Sequence, residues 1–262
     1  GDVYKRQHDD AWRRCPPPIL GEGWQQGRIA DTMSLPTPPP ARHDTTRGLV
    51  ALMGVVSVPR HASRECGDVV RVVDLPDGGI CAIVADGQGH GRSARSIAAM
   101  AVGRVATLIA EGAREDAALV AANDLLFAHR GGQVSCEASM IAVNPVEGVV
   151  RVTRFARAPM VAVGDALTVS FGGEAPPLGL YRGAVPTVDV VVVGQAVACL
   201  VVTDGVRGAG ERAGRPLALE AALQRHAPTG GERAAPAILA EAIEADDGRP
   251  RDDMSVACVT FT

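Results

Sequence analysis

Four aspartates carry most of the chemistry that this sequence could perform, and each borders an apolar run that is typical of a strand: Asp68, Asp86, Asp204 and Asp252. Two carboxylates about 4 Å apart repel each other by about 1–4 kcal/mol between bulk water and a protein surface. A group of such carboxylates therefore requires a cation or a shared proton. Ligands that are all oxygens favour a hard ion, Mg²⁺ or Mn²⁺, over zinc.

The first two aspartates flank a predicted β-hairpin. Two runs rich in β-branched residues lie on either side of Pro76-Asp77-Gly78-Gly79, which is a strong turn signal. A turn centred on Asp77-Gly78 would place Asp68 opposite Gly87 and beside Asp86. The sequence therefore predicts that two carboxylates share one end of this hairpin.

A glycine-rich segment, Asp86-Gly87-Gln88-Gly89-His90-Gly91, ends the second run and precedes a predicted helix. Alternating glycines let the backbone approach an ion closely, and they suit a plain strand-to-helix turn equally well. A dinucleotide site is not favoured, because the third glycine of G-x-G-x-x-G would fall on Arg92. The sequence also lacks the G-x-x-x-x-G-K-[ST] motif of Walker-type nucleotide sites.

The other two aspartates lie near the C-terminus. The apolar run Leu200–Val206 contains Thr203-Asp204-Gly205, and Arg251-Asp252-Asp253 directly precedes the last apolar run. Taken singly, each motif is also typical of a turn at a strand end. Within the second motif, Asp252 and Asp253 are alternatives for the residue that faces the others.

The elements that would position these residues follow an α+β order. Two hairpin strands precede two helices, a block of strands, two further helices and a final strand. The predicted strands are 49–58, 69–75, 80–85, 138–143, 149–155, 160–163, 167–171, 188–193, 197–203 and 254–261, and the predicted C-terminal helices lie near 217–226 and 236–245. This order predicts mostly antiparallel sheets with segregated helices.

The first 45 residues differ from the rest of the chain. They contain seven of the 18 prolines and no stable periodicity, so we expect residues 1–45 to be disordered and residues 46–262 to form one domain. The chain opens on Gly1, and the segment from Asp2 to Gln7 resembles translated adapter sequence. We therefore expect this segment to be partly artefactual, with Met33 as the natural start.

Composition restricts the function classes. With 26 basic and 30 acidic residues, the charge gives no case for binding nucleic acid or an anionic membrane. No apolar run reaches the ~20 residues of a membrane helix. The cysteines are widely scattered, which indicates reduced core thiols and a cytoplasmic protein: Cys15, Cys66, Cys81, Cys136, Cys199 and Cys258.

Taken together and in order, four segments resemble the motifs of metal-dependent protein phosphatases of the protein phosphatase 2C type (PPM): Cys66-Gly67-Asp68, the stretch 85–91, Thr203-Asp204-Gly205 and the stretch 252–255. More narrowly, they resemble the bacterial branch of sporulation stage II protein E. The stretches 138–143 and 176–180 match as well, and the resemblance covers about residues 49–261.

The resemblance implies a PP2C-like α-β-β-α fold, in which two antiparallel sheets pack as a sandwich with helices outside. It also implies a site for two Mn²⁺ or Mg²⁺ ions at one end of the sandwich. Asp86 would bridge both ions, Asp68 and the carbonyl of Gly87 would complete one side, and Asp204 and Asp252 would hold the other ion. A water between the ions would then attack phosphorus, and no cysteine nucleophile would be required.

The implied function is a bacterial serine/threonine phosphoprotein phosphatase in stress signalling. Its partner would be a phosphorylated regulatory protein of the anti-sigma-antagonist type. One alternative is a catalytically inactive phosphatase fold that binds regulators, and a second alternative is an enzyme acting on a small phosphate ester. Where family members commonly carry Gly-His, this chain has Phe155-Ala156-Arg157-Ala158-Pro159. Arg157 is either a phosphate contact or an exposed strand-end arginine, and His90 is a candidate proton-handling group beside the site.

Overall fold

The structure is a computed structural model that describes the backbone of residues 41–44 and, in full, residues 50–144, 147–164, 168–171, 175–193 and 198–262. The elements in chain order are β1 (Ala41–Asp44), β2 (Val50–Val58), β3 (Asp68–Asp74), β4 (Ile80–Gly87), α1 (Gly91–Ala110), α2 (Glu115–Arg130), β5 (Cys136–Asn144), β6 (Val149–Phe155), β7 (Met160–Val163), β8 (Thr168–Phe171), β9 (Thr187–Val192), β10 (Ala198–Val202), α3 (Asp204–Arg207), α4 (Leu219–His226), α5 (Gly231–Ala245) and β11 (Met254–Phe261).

The strands form two antiparallel sheets. The six-stranded sheet has the order β1-β2-β11-β10-β7-β8, and the five-stranded sheet has the order β3-β4-β5-β6-β9. One cluster of buried apolar side chains fills the space between the sheets. A second cluster lies between the five-stranded sheet and the helices α1 and α2, and a third lies between the six-stranded sheet and α4 and α5. The predicted α+β sandwich with helices on the outside is therefore confirmed.

Strand β4 shows why the sequence selects this layered arrangement. Every residue from Ile80 to Ala85 is buried, because one face of the strand packs between the sheets and the other packs under α1. A strand covered on both faces has an unbroken apolar run instead of an alternating one. By length and composition, α1 is the one helix among the described residues that could cross a membrane. Its alanine-rich face packs on the sheet as a core helix does.

The hairpin between β3 and β4 differs from the prediction by one residue. Asp68 lies opposite Asp86 and not opposite Gly87. The backbone N–H of Gly78 donates to the carbonyl of Leu75 at 3.0 Å, and Gly78 has φ 84°. The loop therefore has three residues, a type I turn followed by a left-handed glycine, where the prediction assumed two.

Most other boundaries differ from the prediction by no more than two residues, but two differences are larger. Helix α5 begins at Gly231, five residues before Pro236, because its first turns carry small residues that are buried against the sheet. Ala41–Asp44 lie inside the segment predicted to be disordered, but they form β1, which pairs with β2. Residues 1–40 and 45–49 lie outside the described residues, so the rest of that prediction stays a prediction.

Candidate active site

Three acidic residues form a row across neighbouring strands of the five-stranded sheet. Asp68 on β3 is the Cα partner of Asp86 on β4, and Asp86 is in turn the partner of Glu137 on β5. We call these three residues the acidic row. Directly opposed residues project from the same face of a sheet, and like charges in that arrangement are destabilising. The row therefore requires compensating positive charge or bound protons.

The six-stranded sheet brings further oxygen donors to the same place. Thr203 follows β10, and Asp204 begins the short helix α3. A small cavity at this end of the sandwich is lined by Val84, Asp86, Glu137, Ser139, Ala156, Val202, Thr203 and Asp204. Asp252 lies two residues before β11, and its charge acts on both Asp86 and Asp204. The structure thus brings all four sequence-predicted aspartates to one end of the sandwich.

Asp68 is held by hydrogen bonds through one oxygen only. Its side chain is 1% exposed, and Oδ2 accepts hydrogen bonds from Thr203 Oγ1 at 3.0 Å and from Ser255 Oγ at 2.7 Å. When all the carboxylates are ionised, neither its Oδ1 nor Oδ1 of Asp204 has a hydrogen-bond donor among the described residues, and both carboxylates lie within hydrogen-bonding reach of Asp86. A buried polar atom without a partner is costly, and a bound cation would satisfy both oxygens. The donors present therefore fit hard divalent ions.

The carboxyl pKa values reflect burial and uncompensated negative charge. Burial raises the pKa of Asp86 most, and the charges of Asp68 and Asp204 raise it further. Burial also raises the pKa of Asp68, although the hydroxyls of Ser255 and Thr203 oppose this shift. The pKa of Asp204 is raised by burial and by the charge of Asp252. Within the described part of the chain, no three acidic, histidine or cysteine side chains are placed so that they could hold a metal ion together.

The glycine-rich segment forms a tightly packed strand-to-helix turn. A Cβ on Gly87 would lie 2.0 Å from the carbonyl oxygen of Ala94, so only glycine lets α1 approach this closely. Gln88 is joined to Ser135 in both directions, because its N–H donates to the Ser135 carbonyl at 2.9 Å and its Oε1 accepts from the Ser135 N–H at 3.0 Å. His90 caps α1 without a side-chain hydrogen bond and is exposed. The predicted roles of the Gly87 carbonyl and of His90 stay predictions.

The sequence did not single out Glu137, the third member of the acidic row. Its Oε1 accepts from Arg157 Nε at 3.0 Å, and its Oε2 accepts from the Arg157 backbone N–H at 3.2 Å. Arg157 is therefore paired with an acid of the site. The available sequence signal was an acidic residue near the start of a strand that is otherwise apolar, Cys136–Asn144.

Burial raises the pKa of every thiol that the structure describes, which disfavours the thiolate form. Cys81, Cys136, Cys199 and Cys258 are free and buried, whereas Cys15 lies outside the described residues. Cys66 is half-buried, and burial together with the charge of Asp68 raises the pKa of its thiol to about 12. A thiol with such a pKa is protonated at neutral pH and is a poor nucleophile.

The two adjacent acids Asp252 and Asp253 have different environments. Asp253 is 3% exposed, and its carboxylate accepts hydrogen bonds from the backbone N–H groups of Arg60 at 2.8 Å and of Gly67 at 2.7 Å. It therefore ties the β2–β3 loop to the start of β11. Asp252 is exposed, and its Oδ1 accepts from the N–H of Asp253. These contacts favour Asp252 over Asp253 as the residue that faces an ion.

We expect Asp253→Asn to lower the free energy of unfolding by about 1–3 kcal/mol, because one of the two backbone N–H groups would face the amide nitrogen. Asp252→Asn should leave that free energy unchanged or slightly higher, since it removes a repulsive charge. Urea unfolding of both variants without metal ions measures the difference. Equal destabilisation by the two variants would contradict the separate roles.

Comparison with known proteins gives one family and several structural relatives. The sequence model of the family described as stage II sporulation protein E (SpoIIE) matches residues 76–262, which is more than half of the chain. A search of curated protein sequences gave no match.

Three solved structures resemble the fold. The PP2C phosphatase domain of SpoIIE from Bacillus subtilis, solved with a fragment of its regulatory domain, is 15% identical with a TM-score of 0.69, covering 84% of this chain and 64% of that chain. The SiaA PP2C domain of Pseudomonas aeruginosa is 17% identical with a TM-score of 0.65, covering 80% of this chain and 86% of that chain. RsbX, solved in complex with magnesium, is 14% identical with a TM-score of 0.62, covering 85% of this chain and 100% of that chain. At these identities the likeness shows the fold.

Proposed function

The chain belongs to the stage II sporulation protein E family of PPM phosphatases, and on this basis we propose that it is a metal-dependent protein-serine/threonine phosphatase. The observation that carries the proposal is the meeting of the acidic row with Asp204 around buried carboxylate oxygens that have no hydrogen-bond donor among the described residues when all the carboxylates are ionised. Such a site without cations holds repelling charges and has no evident structural benefit.

We assign the ligands as the family resemblance implies. Asp86 lies at the centre of the acidic row and would be shared by two ions, Mn²⁺ or Mg²⁺. Asp68 and the Gly87 carbonyl would serve one ion, while Asp204 and Asp252 would serve the other. When bound, the two ions supply an acidified water for attack on phosphorus and offset the charge of the transferring phosphoryl group.

The chain's own residues supply the positioning. Thr203 and Ser255 hold one oxygen of Asp68, so that the other oxygen is oriented by two hydroxyl groups before any ion binds. Thr203 Oγ1 also accepts a hydrogen bond from the backbone N–H of Ser255 at 2.9 Å, and this bond joins the two C-terminal motifs to each other. A site whose ligands are oriented beforehand binds an ion with less loss of conformational entropy.

For the substrate we propose phosphoserine or phosphothreonine on a bacterial regulatory protein of the anti-sigma-antagonist type, in the cytoplasm and in stress signalling. The support is the family membership, together with a composition that offers no case for nucleic acid or membrane binding. The chain spans 64% of the SpoIIE fragment, which carries regulatory sequence as well.

A second candidate function is an inactive phosphatase fold that binds regulators. One observation favours it: among the described residues, no three acidic, histidine or cysteine side chains are placed so that they could hold a metal ion together. The two candidates differ in metal-dependent turnover, because a binding module would release no phosphate under any metal condition.

The test is phosphate release from a phosphorylated anti-sigma-antagonist domain and from an aryl phosphate, each with Mn²⁺ and with a chelator. We expect turnover only with metal, restoration by excess Mn²⁺, and less than a few-fold change after thiol alkylation. Release from the aryl phosphate but not from the phosphoprotein would indicate a small phosphate ester as substrate. Chelator-resistant activity that alkylation abolishes would overturn the assignment in favour of a cysteine phosphatase.

A further inference from the structure

We propose that Glu137 is a fifth carboxylate of this site and that Arg157 is its counter-ion, so that the ion pair sets how tightly the site binds divalent cations. The inference rests on the proposed function, but it assigns residues outside the predicted ligand set. It follows from the register of the sheet, the cavity lining and the contacts of the pair.

The position of Glu137 places it in the site. It is the direct cross-strand partner of Asp86, on the strand next to the one that carries the central aspartate. It lines the same cavity as Asp86 and Asp204. Its charge acts on Asp204 and is one of the causes that raise the pKa of that carboxyl. Glu137 therefore adds negative charge where cations are expected to bind.

Arg157 engages both oxygens of Glu137 from a loop that is itself fixed. The loop follows β6, and the buried Arg154 donates from Nη1 to the carbonyl of Ala158 at 2.9 Å and from Nη2 to Oδ2 of Asp189 at 2.8 Å. The backbone N–H and the Nε of Arg157 are thus presented together to one carboxylate. This is a bidentate contact held by the fold, and two such donors fix the geometry more strongly than a single-point ion pair.

The two partners differ in exposure, which decides the direction of their effects. The side chain of Glu137 is 15% exposed and that of Arg157 is 66% exposed. Solvent screens the arginine charge more than the glutamate charge, so the glutamate dominates the field inside the cavity. Removal of Glu137 should weaken cation binding, whereas removal of Arg157 should strengthen it. If the ion pair were exposed and merely structural, removal of either partner would leave the affinity for cations unchanged.

The experiment is calorimetric titration of Mn²⁺ into the full chain, with folding of each variant checked by circular dichroism. We expect Glu137→Gln to weaken binding about five- to tenfold, as for a unit charge acting on a divalent ion at roughly 6–8 Å in a water-like medium. Arg157→Gln should tighten binding about threefold or more. Arg157→Lys, which keeps the charge, should stay near the wild type. The double variant lacks both charges, so its affinity should lie between those of the two single variants.

A matched control is Arg225→Gln. Arg225 pairs with Glu241 on α5 by an Nε–Oε1 contact of the same 3.0 Å, and its side chain is 56% exposed. This variant should leave Mn²⁺ affinity unchanged. If the wild type binds Mn²⁺ and both Glu137→Gln and Arg157→Gln bind it with the same affinity, the role of the pair is overturned and the proposed function is not. Absence of Mn²⁺ binding by the wild type would overturn the proposed function, and the role of the pair with it.

Discussion

Asp86→Asn should abolish metal-dependent phosphate release and leave a well-folded protein. Asp86 lies between Asp68 and Glu137 in the acidic row, so it is the carboxylate best placed to be shared by two ions. Loss of a residue that only supports a ligand typically costs 10–100-fold in affinity or activity, so loss of the shared ligand should cost more than about a hundredfold. Asparagine keeps the side-chain shape, and only the shared negative charge is lost.

The fold should tolerate this substitution because the charge of Asp86 is unfavourable without metal. The charges of Asp68, Asp204 and Asp252 each disfavour its ionised form. We therefore expect the free energy of unfolding of the metal-free variant to equal or exceed that of the wild type. Steady-state turnover at modest Mn²⁺ and urea unfolding in chelator measure the two effects separately.

Asp204→Asn is the matched control. It should weaken the binding of one ion more than that of the other, so high Mn²⁺ should restore part of its activity by mass action. Asp86→Asn should show little restoration under the same conditions. Near-normal turnover by Asp86→Asn would remove Asp86 from the mechanism. An unfolded Asp86→Asn protein would show that the residue is structural, as a plain strand-to-helix turn requires.

The fold was largely predictable because its layers leave local patterns in the sequence. The unbroken apolar run of β4 indicates a strand covered on both faces, and the small and apolar residues of α1 recur at helical spacing. The turn between β3 and β4 was located correctly, but its length was not. Asp77-Gly78 suits a two-residue turn as well as the three-residue turn that forms. A difference of one residue in the length of the loop shifts the register and so changes every cross-strand pair of the hairpin.

The site was predictable only as far as the motifs extend. Glu137 belongs to it through the register between β4 and β5, which are separated in sequence by two helices, and no local pattern fixes such a register. The hydroxyls that orient Asp68 come from residues 135 and 187 positions further along the chain. Asp252 and Asp253 are equivalent in sequence, and only the long-range contacts of Asp253 distinguish them.

Without metal ions, the free energy of unfolding should decrease as the pH rises from about 5 to about 9. Burial raises the pKa of Asp68 from 3.8 to about 7, and burial with the neighbouring carboxylates raises that of Asp86 from 3.8 to about 9. Between the unfolded and folded values, the folded protein holds protons that the unfolded chain has released. Unfolding therefore releases protons, and a higher pH favours it, by about 1.4 kcal/mol per pH unit for each proton.

Bound Mn²⁺ should remove most of this dependence, because the ions take the place of the protons on the same carboxylates, and unfolding then releases almost no protons. The stabilisation by Mn²⁺ should then be larger at pH 8.5 than at pH 5.5, since fewer protons compete at the higher pH. Urea unfolding at several pH values, with chelator and with Mn²⁺, measures both slopes, and Asp86→Asn should flatten the metal-free slope. The lowered pKa values of Glu65 and Glu241 act below this pH range and do not interfere. Metal-free stability that rises with pH across this range would show that these carboxylates are already compensated within the chain, and a cation would then have no electrostatic reason to bind.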